Sequence, residues 1–277
     1  MMLKSNDRTR LNFKFFEHNA TVRNYEAYMS LQQGELAIIS RLKGDFSGRR
    51  ILDMGVGAGR TTPALLDISK RYIGIDISLP MISTCCRRFP SASFEVCDAR
   101  DLSRFDDRSF DLVFFSHNGI DYISHVDRLT AVGEIHRVLI NGGEFAFSSH
   151  NRQSLRAGRT TGSESSAWTR WDSAQLLWQI NPFKHPRRFS RNLLRLTGET
   201  VAYLYNRQYE EYNNEYVIVK DVGRLFSYCI DIETQIRQLQ EIGFERIEAV
   251  DLDGNWLVDE NYTKCKDTWI YYLCHKP

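Results

Sequence analysis

The stretch ILDMGVGAGR, residues 51–60, decides how this chain folds. With the preceding Arg50, its first part is predicted to be a short apolar strand at 50–54, and a helix is predicted from about Thr61. The glycines between them allow a tight turn and let a ligand approach the backbone closely. The start of the helix adds free N–H groups and the positive end of a dipole. This order of elements indicates a ligand-binding loop.

The spacing of the glycines excludes two familiar nucleotide loops. The dinucleotide fingerprint needs a glycine at position 60, where the chain has Arg60. A Walker loop needs Gly-Lys followed by Ser or Thr, which the stretch lacks. A glycine-rich turn without a ligand is the alternative that the loop on its own leaves open.

Carboxylates end the next two predicted strands as well. Asp76 ends a strand at about 72–76 and lies 19 residues after Gly57, close to the ~20-residue offset at which an acid binds ribose hydroxyls. Asp98 follows a strand at about 94–97. Each acid alone could be a solvated loop residue or a helix cap. Together with Asp53, at one edge of a parallel sheet, they predict a nucleoside-shaped site.

Strands alternate with helical segments through residues 51–148. The fourth and fifth strands are predicted at 111–115 and 144–148, which makes an α/β protein with a parallel sheet and helices on both of its faces. A last helix after Asp231 is followed by strands at 246–250 and 269–274. No helix is predicted between these two strands, so they should pair antiparallel.

Four blocks, taken in order, resemble the class I S-adenosylmethionine-dependent methyltransferases: ILDMGVGAG, YIGIDIS, FEVCDARDL, and FDLVFFSHNGIDYI with RVLINGGEFAF behind it. The resemblance covers about residues 48–151 and 229–277. It implies a doubly wound, mostly parallel seven-stranded sheet in the order 3-2-1-4-5-7-6, with an antiparallel C-terminal hairpin. It also implies S-adenosylmethionine as the cofactor.

The resemblance carries cofactor contacts onto matching positions of this sequence. They are Asp53, Gly55, Gly57 and Gly59 around the methionine part, Asp76 at the ribose hydroxyls, Ile77 on the adenine, Asp98 and Ala99 at its polar edge, and Ser116 near the sulfonium.

A sulfonium methyl is already activated, so in-line transfer mainly needs alignment and exclusion of water. A base is needed only where the acceptor must lose a proton. The candidates follow the fourth and fifth strands: His117, Asn118, Asp121, Tyr122, His125, His150 and Asn151. His150 and then His117 are the predicted bases. Each could instead be a structural residue, and His125 could simply cap the next helix.

Residues 152–228 break the alternation and are too long for a plain connection. The segment holds three of the five tryptophans, so it is predicted to be a folded, α-rich insertion with a helix at about 188–205 and a strand at 216–219. Leaving the sheet after His150, it would cover the acceptor side as a lid. The predicted acceptor residues are Tyr25 and Tyr28 from the N-terminal helical segment 1–47, Asn118, Trp168, Trp171 and Tyr228. A dimer contact is the alternative role of the insertion.

Basic residues recur within the insertion without an intervening acid: Lys184, Arg187, Arg188, Arg191 and Arg195. A solvated helix face is the favoured interpretation. The functional interpretation is recognition of an anionic group on a small-molecule acceptor.

The amino-acid composition limits the expected cellular location and the expected classes of binding partner. Lys and Arg total 36 against 35 Asp and Glu, which removes the global electrostatic argument for a nucleic-acid or membrane-surface protein. No apolar run approaches a membrane span, and the first ten residues lack the apolar region of a secretory signal. The six cysteines have no C-x-x-C spacing, which favours reduced thiols in a cytoplasmic protein.

These features predict an S-adenosylmethionine-dependent methyltransferase that acts on oxygen or nitrogen of a small or medium-sized metabolite. The alternatives are an RNA or protein methyltransferase and a non-catalytic cofactor-binding or partner subunit. SHNG stands where amino-methylating nucleic-acid enzymes have an NPPY-type tetrapeptide, and no Pro-Cys pair follows the fourth strand. The Asp and Asp-Asn set of magnesium-dependent catechol enzymes is also absent, so no catalytic metal is expected. The acceptor and the oligomeric state stay open.

Overall fold

A largely parallel sheet lies at the centre of the computed structural model, which describes residues 5–156, 209–212, 214–220 and 225–277. Its first strands are β1 (Ile51–Met54), β2 (Tyr72–Asp76), β3 (Ser93–Val96), β4 (Phe110–Phe115) and β5 (Leu139–Asn151). They pair in parallel in the order β3-β2-β1-β4-β5. The carboxyl ends of β1 to β4 therefore meet at one edge, as the sequence predicts.

Three further strands follow in the chain: β6 (Tyr209–Tyr212), β7 (Tyr216–Lys220) and β8 (Phe226–Ile230). The first two lie in the predicted insertion, and β8 begins there and continues past its predicted end at residue 228. They pair antiparallel with one another, and β8 pairs in parallel with the end of β5. The predicted strand at 216–219 is confirmed. This described part is β-structure in an insertion predicted to be α-rich, because its β-branched and aromatic residues favour a pleated surface. The predicted helix at 188–205 and the basic cluster lie outside the described residues.

The C-terminal strands are β9 (Glu245–Val250), β10 (Trp256–Leu257) and β11 (Trp269–His275). β11 pairs antiparallel with both β5 and β9, so the predicted reversal at the end of the sheet is confirmed. The predicted seven-strand order is also present, as β3-β2-β1-β4-β5-β11-β9. The prediction did not include β10 at the outer edge of β9, or β6 to β8 beside β5.

Helices flank the sheet and cover its carboxyl edge. The N-terminal segment forms α1 (Ser5–Glu17), α2 (Asn19–Ala27) and α3 (Gln33–Leu42). The crossovers hold α4 (Thr62–Ile68), α5 (Leu79–Arg88), a 3₁₀ turn (Gly119–Tyr122) and α6 (His125–Val138). The remaining helices are α7 (Arg152–Arg156), α8 (Ile232–Ile242) and α9 (Asp259–Tyr262).

The helix ends follow the expected capping chemistry in part. The Ser78 hydroxyl accepts the Met81 N–H at the start of α5, and Gly243 ends α8 with a φ of 113°. Ser124, rather than His125, caps α6. Asp231 occupies the N-cap position of α8 without a side-chain capping hydrogen bond.

Two apolar clusters sandwich the sheet, because successive side chains of a strand point to opposite faces. One face carries Leu52, Val113, Phe145 and Phe147 against α6 and α8, and the other carries Ile51, Leu112, Phe114 and Ala146 against α3 and α4. Within the described ranges, no helix has the length and apolar character needed to cross a membrane.

Candidate functional site

A cleft opens at the carboxyl ends of β1 to β4. Its walls include most of the predicted cofactor residues: Gly55, Gly57, Asp76, Ile77, Asp98, Ala99 and Ser116. Helices α1 and α2 cover it with Phe13, Phe16 and Tyr25. Residues that are far apart in the sequence therefore enclose one space, with polar groups on the strand side and aromatic rings above.

Asp76 connects the glycine loop to the start of α5. Its Oδ2 accepts the Gly57 N–H at 2.9 Å and its Oδ1 accepts the Ser78 N–H at 2.8 Å. The Ile77 N–H also bonds to this carboxylate, which leaves acceptor capacity for a further donor. Burial raises the pKa of Asp76, and the backbone hydrogen bonds oppose that rise.

Gly57 has a φ of 55°, in the left-handed region that favours glycine. A Cβ at this position would lie 3.2 Å from Cδ1 of Tyr25. The loop backbone and the α2 ring that covers it are therefore in close contact, and a side chain at position 57 would push them apart.

Asp53 and Gly59 do not line the cleft. The buried Asp53 carboxylate accepts hydrogen bonds from Thr61 Oγ1 and Tyr72 Oη, both at 2.7 Å. Burial raises the pKa of Asp53 to about 7. A Cβ on Gly59 would overlap the ring of Phe89. These two residues hold the loop against its neighbours, and their predicted cofactor contacts stay predictions.

Glu35, which the sequence did not single out, lies fully buried beside the cleft. Arg60 reaches out of the glycine loop and donates to both oxygens of Glu35, each at 2.5 Å. The Ser116 hydroxyl donates to the same carboxylate. Burial alone would raise the pKa of Glu35, but the hydrogen bond and charge of Arg60 hold it below its ordinary value. Glu35 thus ties α3 to the glycine loop and to the end of β4.

The only sequence signal for Glu35 is its place three residues after Gln32, whose N–H it accepts at 2.8 Å. That spacing is typical of a helix capping box. It predicts a capping residue at the start of α3, and it contains no information about a partner in a distant loop.

His117 lies half-buried on the cleft wall directly after β4. Its φ of 56° is in the left-handed region. The ring packs against Tyr25 and Tyr28, each with a centroid distance of 6.1 Å, and against Trp269 at 6.4 Å. Burial, together with the charge of Arg60, lowers the pKa of His117 to about 4. The imidazole is therefore neutral near pH 7.

His150 lies in a buried polar network that does not line the cleft. Its Nδ1 is 2.8 Å from Asp121 Oδ2, and its Nε2 is 3.4 Å from the amide nitrogen of Asn118. Asp121 also pairs with Arg128 at 2.5 Å. Both ring nitrogens of His150 thus face protein groups, and Asn118 is buried with it.

The other predicted residues divide between the cleft and the protein interior. Tyr122 lines the cleft. Tyr228 is buried and accepts or donates a 3.0 Å hydrogen bond with His125 Nδ1. The Asn151 amide donates to the Cys265 carbonyl at 3.0 Å. Trp168 and Trp171 lie outside the described residues.

Comparisons with known proteins converge on one family. Residues 51–143 match the family model described as a methyltransferase domain. The chain is 30% identical over 125 residues to a probable S-adenosylmethionine-dependent methyltransferase of Mycolicibacterium smegmatis, covering 45% of this chain and 47% of that protein. It is 30% identical over 121 residues to the demethylmenaquinone methyltransferase of Renibacterium salmoninarum, covering 44% and 49%. The chain thus spans about half the length of the curated relatives it matches.

Residues 51–143 are thus similar to a methyltransferase domain, as the sequence resemblance implies. A solved structure shares the fold of this domain. It is the Burkholderia thailandensis 1,6-didemethyltoxoflavin-N1-methyltransferase with bound 1,6-didemethyltoxoflavin and S-adenosylhomocysteine. The TM-score is 0.60 over 100% of this chain and 92% of that one, at 12% identity.

The cleft has the chemistry to hold S-adenosylmethionine, the cofactor that the sequence resemblance implies. Asp76 keeps acceptor capacity at the place where the family binds ribose hydroxyls. Ile77, Met81 and Ala99 give the adjoining wall an apolar surface that suits a planar base. Within the described ranges, no group of three or more His, Cys, Asp and Glu side chains could hold a metal ion.

A second cavity adjoins the cleft of the methyltransferase domain. Tyr122 and Ile123 line both spaces. The second cavity is otherwise bounded by one side of α1, the start of α6, and β7 and β8. Helix α1 thus separates the two spaces, with Phe13 and Phe16 lining the cleft and Thr9 and Asn12 lining the second cavity.

Proposed function

We propose that the chain transfers the methyl group of S-adenosylmethionine to oxygen or nitrogen of a small or medium-sized metabolite. The observation that carries the proposal is one cleft lined both by the Asp76 and glycine-loop cradle and by the neutral His117. Phe13, Phe16 and Tyr25 close over that cleft, which suits a small acceptor better than a folded macromolecule. The acceptors named for the two relatives, demethylmenaquinone and 1,6-didemethyltoxoflavin, support the same size class.

The bound cofactor would supply a methyl group already activated on a sulfonium. The chain's residues would bind and orient: Asp76 accepts the ribose hydroxyls, Ile77 packs on the adenine, and Ser116 lies beside the methionine part. His117 is proposed to accept the proton that an acceptor hydroxyl or ammonium must lose, because its ring lines the cleft and is neutral near pH 7. The rings of α1 and α2 exclude water from the cleft.

The acceptor side is proposed to include Tyr25 and Tyr28, which contact His117 on two sides. The insertion, residues 152–228, would cover this side as a lid, with the core formed by residues 48–151 and 229–277. Trp168 and Trp171 of that insertion remain proposed acceptor contacts. A cytoplasmic location is also proposed, on the basis of six cysteines that are all free thiols.

The test is a methyl-transfer screen with radiolabelled S-adenosylmethionine against phenols, amines and carboxylates, with RNA and protein as separate arms. Label in a small molecule supports the proposal, and label only in RNA or protein contradicts it. His117→Asn, which the left-handed backbone tolerates, should lower transfer to a hydroxyl acceptor by about 10²–10⁴-fold. S-adenosylhomocysteine binding should be retained. An unchanged rate would show that no proton passes to His117.

A further inference from the structure

Asn12 lies within α1, but its side chain forms hydrogen bonds with two other elements of the fold rather than with its own helix. Its side chain is fully buried, and Nδ2 donates to the Tyr122 carbonyl and to the Phe226 carbonyl, each at 2.8 Å. Its Oδ1 accepts the Phe226 N–H at 2.9 Å. The amide therefore pairs with Phe226 as a neighbouring strand would, at the beginning of β8. A third bond holds the 3₁₀ turn that lines the cleft.

The same helix has a second anchor on the cofactor side. The Phe16 carbonyl at the end of α1 accepts the Ser78 hydroxyl at 3.1 Å. The backbone N–H of Ser78 donates to Asp76, the carboxylate proposed to bind the ribose. Helix α1 thus joins the cradle of the cofactor at one end to β8 and the 3₁₀ turn through Asn12.

We propose that Asn12 is a positioning residue that couples the closure of α1 over the cofactor to the placement of β8 and the second cavity. The inference rests on the proposed cofactor binding. Asn12, Phe13 and Phe16 lie within two turns of the same helix. When the two rings close over a bound nucleoside, the helix therefore holds the Asn12 amide against Phe226. Cofactor binding then orders β8, the strand that leads from the insertion back into the sheet. Acceptor-side structure is therefore assembled after the cofactor is in place.

The coupling has a direct readout in hydrogen exchange of the full chain with and without S-adenosylhomocysteine. In the wild type, the ligand should slow exchange in the glycine loop and in the β8 amides at Tyr228 and Ile230 by about five-fold or more, the lower end of ordinary coupling. In Asn12→Ala the glycine loop should still be protected, while the protection of β8 by the ligand disappears. The ligand affinity should fall by up to about ten-fold.

Two further variants separate coupling from general destabilisation. Asn24→Ala changes an exposed asparagine on α2 and should leave every ligand effect unchanged. Asn12→Ser is small and uncharged and is too short to pair with both the N–H and the carbonyl of Phe226, so it should uncouple β8 without burying a charge and serves as the second variant if Asn12→Ala fails to fold. A merely structural Asn12 would speed exchange in β8 but leave the ligand's effect on it intact, which would overturn the inference. Wild-type protection of the glycine loop without β8 would also overturn it. Absence of glycine-loop protection in the wild type would instead contradict the proposed function itself, and the inference with it.

Discussion

The two sides of the cleft are built in different ways. The proposed nucleoside side consists of strand ends and the turns that directly follow them, so Asp76 is fixed by the backbone amides of Gly57 and Ser78. The proposed acceptor side is assembled from elements distant in the chain, with His117 lying among Tyr25, Tyr28 and Trp269. The first can form with the sheet alone. The second exists only when the N-terminal helices, the end of β4 and β11 have all come together.

The strongest test of this contrast is Glu35→Gln, which removes the charge that joins the two sides. Arg60 would remain largely buried without its carboxylate partner, and breaking such a pair costs about 3–5 kcal/mol in free energy of unfolding. Urea denaturation of the variant and of Glu17→Gln, an exposed acid at the end of α1, measures the difference. Equal destabilisation by both substitutions would mean that the Arg60 pair stabilises nothing.

A second test uses the pH dependence that the acceptor side should create. The pKa of His117 is about 4 in the folded chain, against its ordinary 6.5, so between these values the unfolded state binds more protons. The free energy of unfolding should therefore fall by roughly 3 kcal/mol on this account as pH drops from about 6.5 to about 4, with no contribution above that window. His117→Asn should remove this slope. Parallel stability curves for the two proteins between pH 4 and 6.5 would refute the assignment.

The third test probes the nucleoside side alone. Asp76→Ala removes a carboxylate that should accept charge-assisted bonds from the ribose, each worth roughly 1.5–3 kcal/mol. Titration calorimetry should show at least about ten-fold weaker binding of S-adenosylhomocysteine, with the helical signal unchanged. Asp106→Ala, at an exposed loop position, is the matched control. An unaltered affinity would place the ribose elsewhere.

The sequence predicts the strands and turns of the proposed nucleoside side because their signals are local. The glycines, the acids at the strand ends and the alternation of strand and helix all lie within short windows, and the seven-strand order that follows from them is present in the structure. The Asp76 prediction needs only the offset from Gly57, since parallel strands end at a common edge.

The acceptor side is harder because its contacts depend on where strands end. The predicted fifth strand stops at Ser148, which leaves His150 in a loop beyond the sheet. In the structure β5 continues to Asn151, and His150 pairs with Trp269 on one side and Cys229 on the other. Because β11 and β8 flank this part of β5, His150 is buried between them. Of the two predicted bases, His117 is the one that lines the cleft. A local sequence pattern does not predict that β5 pairs with a strand that follows more than 70 residues later in the chain.

The pairing of β8 with β5 also determines where the two ends of the insertion join the sheet. The chain leaves the sheet at Arg152 and returns through β8, whose Cys229 and Ile230 lie beside His150 and Asn151. The two ends of the inserted segment are thus adjacent strands of the same sheet. Lengthening the connection between α7 and β6 would therefore cost little loop-closure entropy and would keep the pairing of β7 with β8. A different segment could therefore be inserted at this position without changing the glycine loop or the strand ends that form the cleft.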